Sequence, residues 1–166
     1  LPAGFMELNE TTEQIRVLEA RRLELVAQLG RSQAHDAAGY SSLPAFLIQT
    51  QRISMRRAKQ WVAHAEQITE TLTPTGHVAP APMPTAREAV LAGVIDGEHL
   101  DVITETLKAL PTSVSIEDRE VVEQSLTDHA RTAPSRAVHK LGEALIVHLD
   151  QDGQEPQAKE LVEPKN

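Results

Sequence analysis

Apolar residues recur along this chain at helical intervals, in runs separated by Ser, Thr, Gly and Pro, and the runs predict an all-α fold, a multi-helix bundle of about seven helices. Thr11 or Thr12 precedes the first run, which is Ile15, Leu18, Leu25, Val26 and Leu29, interrupted by Arg22; Leu8 extends it backwards and Gly30 closes it. That period predicts a helix over about residues 11–29. Its stripe is expected to pack on the rest of the domain, because the heptads are too few to favour pairing with a second copy. Ser42 caps a short helix carrying Phe46, Leu47 and Ile48, with Pro44 in its first turn, where a missing N–H costs little. Ser54 opens a longer helix reaching about Leu72, with Ala58, Trp61, Val62, Ala65, Ile68 and Leu72 on its buried side. Four prolines and Gly76 in residues 73–84 predict a loop. Further helices are expected over about 85–92, over 96–110, and from Ser115, the last burying Val121, Val122, Leu126 and Ala130. A final helix from about residue 134 buries Val138, Leu141, Leu145, Ile146 and Leu149. Strand formers cluster nowhere. The domain is expected to span residues 11–150, between a tail at 1–10 and a polar, acidic tail at 151–166.

Two stretches repeat one layout. In residues 42–62 and again in 85–103, a short apolar helix meets a break closed by Ile, at Ile53 and Ile95, and a Ser or Asp cap opens a longer helix. Two helices crossing steeply over a short turn are how many proteins place a helix end in a DNA groove. The copies differ in charge. The first carries Arg52, Arg56, Arg57 and Lys59, the densest basic cluster in the chain, and with Trp61, Val62 and Ala65 inward, Arg56, Lys59 and Gln60 fall outward. Arg52, Arg57 and Lys59 are suited to phosphates, Ser54 to a phosphate at the helix end, and Arg56 and Gln60 to base edges. The second copy offers Asp96, Glu98, Asp101 and Glu105, which repel phosphates; only Arg87, His99 and Lys108 offset them. One candidate reader and one packing partner are therefore expected.

Composition narrows this picture. The chain has 166 residues, 40% hydrophobic but only 2% aromatic, so its core must be aliphatic. A net charge of −8 confines any nucleic-acid surface to a local patch. Without cysteine, disulfides, thiolate nucleophiles and Cys-based zinc sites are excluded. No apolar run approaches membrane-spanning length and no signal segment opens the chain, so a cytoplasmic protein without membrane association is expected. The seven histidines include no helical i, i+4 pair of the metalloprotease kind, and no nucleophile elbow, phosphate loop or dinucleotide fingerprint occurs. No catalytic residue, metal or cofactor is expected.

Residues 42–68, 86–111 and 129–153 together resemble the actinobacterial 13E12 repeat family, a helical domain of unknown function. The likeness is carried by Ala45-Phe46-Leu47, by Arg52-Ile53-Ser54, by the run from Leu91 to Ile95 followed by Glu98-His99, and by Asp150-Gln151-Asp152-Gly153. It implies an all-helical module, commonly followed by an HNH endonuclease domain, in proteins that bind or act on DNA and occur in mobile multicopy elements. Phe46 stands where the family usually has Trp, Gln151 replaces its Pro, and the 73–84 loop is longer. The HNH signature is absent, so nuclease activity is not carried over and no catalysis by this chain is expected. The chain opens at Leu1 with Met6 as a candidate start, and stops where the family continues, so it reads as the N-terminal part of a longer protein. The leading expectation is a module that binds double-stranded DNA through Arg52, Ser54, Arg56, Arg57, Lys59 and Gln60. The alternative is a protein–protein scaffold, a homodimer through helical surfaces, that does not touch DNA.

Overall fold

Three serines set helix starts in the computed structural model, which describes residues 1–153. Ser42, Ser54 and Ser115 each turn a side-chain oxygen back onto the amide three residues ahead, at 3.1–3.2 Å, supplying a partner that the first turn of a helix lacks. Among the described residues there are eight helices: α1 (Phe5–Arg31), α2 (Ala34–Ala37), α3 (Leu43–Gln51), α4 (Met55–Ile68), α5 (Pro84–Leu91), α6 (Gly97–Ala109), α7 (Ile116–Ala130) and α8 (Ser135–Gly153). The fold is all-α. The chain divides into two compact units, residues 1–101 and the residues from Val102 onward.

In the first unit α1 packs on α4 and α5, and α3 packs on α4. Ala20, Leu23 and Val26 of α1, Leu47 of α3, and Ala58, Trp61, Ala65 and Ile68 of α4 are buried. Each fully buried Leu or Ile here contributes about 1.5–3 kcal/mol. The first helix departs from the sequence expectation. It begins at Phe5, after Gly4 in a left-handed conformation with no side-chain cap, and Thr11 sits inside it, its hydroxyl donating to the Glu7 carbonyl at 2.7 Å. Three residues of the expected stripe face away from the core: Ile15, Leu18 and Leu25 are 52%, 68% and 42% exposed. Of the stripe Val26 is buried as expected, joined on the core side by the small Ala20 and by Leu23, where α4 and α5 pack on α1.

The segment after α4 also differs. Helix α4 stops at Ile68, and Thr71–Leu72 pairs antiparallel with Val78–Ala79 as β1 and β2, leaving Leu72 69% exposed rather than buried. Thr69 and Thr71 favour extended backbone, and Gly76, at φ 83°, supplies the left-handed residue that the hairpin turn needs. The Arg87 guanidinium then closes the end of α4, donating to the Ile68 carbonyl at 2.6 Å.

The second unit contains the remainder of α6 and the paired helices α7 and α8. Val122, Leu126, Ala130 and Val138 are buried as the period requires, while Val121 is exposed and Glu123 and Thr127 are buried in its place. Gly142 is buried where α8 meets α6: a Cβ there would stand 2.5 Å from the Thr106 hydroxyl, so the two backbones approach because this position has no side chain. Helix α8 continues through Gly153, and the rest of the expected polar tail, residues 154–166, lies outside the described residues.

Candidate nucleic-acid interface

The α3–α4 junction is a three-residue turn, Arg52-Ile53-Ser54. Arg52 closes it in a left-handed conformation, φ 54° and ψ 47°, that a side-chain-bearing residue adopts at a cost of about 1–2 kcal/mol. After this turn the first side chains of α4, Met55, Arg56 and Arg57, are exposed. Arg52, Ser54, Arg56, Arg57, Lys59 and Gln60 are all exposed. Ser54 accepts the Arg57 amide at 3.1 Å, and its hydroxyl proton remains a donor.

The six residues do not form one surface. Arg56 and Lys59, one helical turn apart, lie opposite the buried Trp61 and Ala65, with Arg52 at the turn before them. Among the described residues, none of these three cations has a carboxylate within ion-pair distance. Arg57 and Gln60 turn instead toward an open depression of about 340 Å³ between α1, α4 and the start of α6. Trp61 forms part of its wall, covered by two guanidinium groups: Arg22 at 4.0 Å from the ring centroid and Arg57 at 5.6 Å. Such cation–ring contacts contribute about 0.5–2 kcal/mol. Partial burial pushes the Arg22 pKa down, Glu19 opposes that, and Arg57 adds to it.

Glu19, Asp96 and Glu98 bring carboxylates to this depression, and Arg16 meets Asp96 at 3.5 Å. The depression is therefore mixed in charge, and the uncompensated positive edge lies outside it, on Arg52, Arg56 and Lys59. Sequence reasoning missed its most buried polar member. His64, 7% exposed, places Nε2 2.6 Å from an Asp101 carboxylate oxygen. An ionised carboxylate only accepts, so Nε2 carries the proton. Gln60 donates to the other Asp101 oxygen at 3.4 Å, a long contact. Gly97 permits this packing, since a Cβ there would lie 2.9 Å from the His64 ring.

The second helix pair serves as a buttress. Its turn is a Schellman closure, with Gly93 at φ 74° and the Val94 amide reaching the Ala89 carbonyl at 3.1 Å. Asp96 then caps α6, accepting the Glu98 and His99 amides at 3.0 and 3.3 Å, while the Asp96 amide reaches back to His99 Nδ1 at 3.3 Å. This is a reciprocal capping box with His in the place usually held by Glu. The His99 hydrogen bond, together with Arg16, holds the Asp96 carboxyl well below the usual carboxylate range despite partial burial. Arg87 and His99, which offset the acidic charge of this copy in the sequence, are thus used at helix ends, and Asp101 is used to anchor α4.

No group of three or more His, Asp or Glu residues is placed to hold a metal among the described residues, and none of their helices is long and apolar enough to cross a membrane. The model of one family, described as a domain of unknown function, DUF222, matches residues 5–164. No curated protein and no solved structure matches the chain.

Proposed function

The chain belongs to the DUF222 family, and from that premise we propose that it is a helical module that binds double-stranded DNA with the N-terminal half of α4 and performs no catalysis itself. The observation that carries this reading is the free positive edge: Arg52, Arg56 and Lys59 exposed together at the start of a helix that follows a tight turn. Arg52 and Lys59 neutralise phosphates, with the Ser54 hydroxyl beside them. Arg56 stands where a base edge would be read.

Arg57 and Gln60 have a different share of the work. Both face the Trp61 depression, so they set the flank of the interface and hold α4 against α1 and Asp101. The net charge of −8 fits a contact restricted to this edge, because the rest of the surface repels DNA and limits non-specific binding. The resemblance to the 13E12 repeat family extends the proposal: the module positions DNA for an HNH nuclease domain elsewhere in a longer, cytoplasmic protein.

Fluorescence-anisotropy titration of a labelled duplex across a range of salt tests the reading. The double variant Arg56→Ala/Lys59→Ala should bind more weakly, with a log–log salt slope shallower by about 0.9 for each phosphate that is no longer neutralised. Binding identical to the wild type at every salt concentration would overturn the assignment. If the wild type binds no duplex at low salt, the scaffold reading takes its place.

A further inference from the structure

We propose that Arg22 of α1 and Arg57 of α4 form a two-guanidinium clamp for a phosphate group beside the Trp61 ring. The packing of α1 on α4 brings the two together from distant parts of the sequence. Both guanidinium groups lie over one ring, at 4.0 and 5.6 Å from its centroid, and both line the open depression of about 340 Å³. Burial disfavours the charge on Arg22, Glu19 favours it, and the nearby Arg57 disfavours it again. Among the described residues, no carboxylate lies within ion-pair distance of either group. Arg22 Nε is buried without a hydrogen-bond partner. Two like charges held together in this way favour a bound anion, which relieves their repulsion and takes up the open donors.

The carboxylates around the depression are engaged elsewhere or stand clear. Asp96 accepts the Glu98 and His99 amides and meets Arg16 at 3.5 Å, and Asp101 is taken by His64 at 2.6 Å. Glu98 is exposed to water, and Glu19 stays beyond ion-pair distance of both guanidinium groups. Shape then selects the ligand. Each guanidinium is a planar fork of donors. One fork satisfies a planar carboxylate, whereas the tetrahedral oxygens of a phosphate face two forks at once. Arg57 is exposed and free to swing onto such a group, while Arg22 is held closer to the ring. A duplex lying along Arg52, Arg56 and Lys59 supplies a phosphate from its backbone, and α1 is then part of the interface. A free phosphate compound supplies the same chemistry. The clamp rests on the DNA-binding reading only for the first of these sources.

Trp61 is the single tryptophan of the chain, so its fluorescence reports on the clamp. The intact protein is titrated with inorganic phosphate against chloride at matched ionic strength, and separately with a DNA duplex. A saturable change in emission is expected. Arg57→Gln and Arg22→Gln should each raise the half-saturating concentration about tenfold or more, since each removes charge-assisted hydrogen bonds. Arg57 is exposed, so its variant should keep the wild-type circular dichroism. If Arg22→Gln loses helicity, Arg22→Lys, which keeps the charge but not the fork, must still weaken the response. Arg21→Gln, outside the depression, should leave it unchanged. A response to the duplex that depends on Arg22 and Arg57 supports the clamp with the DNA backbone as its source. A response to phosphate alone supports it with a free phosphate compound as the source, and the anisotropy titration then decides DNA binding separately. Silence toward both probes, or a response that the Arg57 or the Arg22 substitutions leave intact, overturns the clamp.

Discussion

Replacing Arg52 with Gly separates what this residue does for the fold from what it does for binding. Its backbone is left-handed, φ 54° and ψ 47°, and relieving a side chain of that conformation returns about 1–2 kcal/mol. Glycine gives back about 0.4–1 kcal/mol of this through the extra freedom of the unfolded chain. No hydrogen bond or ion pair of the Arg52 side chain with a described residue offsets the difference, so Arg52→Gly should be more stable by about 0.5–1 kcal/mol. For a chain of this length that is a rise of about 2–3 °C in melting temperature, readable by circular dichroism. The same variant should bind a DNA duplex less well. One fewer neutralised phosphate reduces the salt slope by about 0.9, which near 0.1 M salt amounts to roughly eightfold in affinity relative to a 1 M reference. A variant that melts several degrees lower would refute the strain argument, and unchanged affinity and slope would refute the phosphate role. Arg52→Lys, which keeps both charge and backbone, should keep binding and melt like the wild type.

Gly93→Ala should destabilise the first unit by about 2–4 kcal/mol, because it adds left-handed strain to a Cβ lying 2.8 Å from Val17 and 2.9 Å from the Glu13 carbonyl oxygen; a destabilisation below about 1 kcal/mol in urea titration would show that α1 can shift away from the turn. Asp96→Asn tests the capping box through pH. The Asp96 carboxyl is held below its unfolded value, so its contribution is complete above about pH 4 and is lost as pH falls further. The stability gap between wild type and variant should therefore narrow near pH 3, and a gap independent of pH would contradict the ionised cap.

Local chemistry was the legible part of this fold. Ser42, Ser54 and Ser115 announce helices because a cap needs only a hydroxyl three residues before an amide. The α4 stripe of Ala58, Trp61, Ala65 and Ile68 was legible because its period matches one packed face. The α1 stripe misled for the same reason: a period shows that a face is apolar, not which surface covers it. The start of α1 was hidden because Gly4 offers no capping side chain. The β1–β2 hairpin was hidden because two-residue strands carry no alternation to detect.

The candidate site was half visible. Arg56 and Lys59 were marked by their place opposite Trp61 and Ala65. The separation of Arg57 and Gln60 into the Trp61 depression required knowing that Arg22 and Asp101 lie there, contributed by α1 and α6. Partners so distant in sequence leave no local pattern. His64 looked like an ordinary polar position on α4 until its carboxylate partner, 37 residues away, was in place.

Amide NMR of the isotope-labelled protein titrated with a duplex tests DNA binding by α4 most directly. The largest shift changes are expected at Arg52, Ser54, Arg56 and Lys59, smaller ones at Arg57 and Gln60, and none along the acidic face of α6 at Glu98 and Glu105. Changes centred on α6 or on the second unit, with α4 silent, would contradict it.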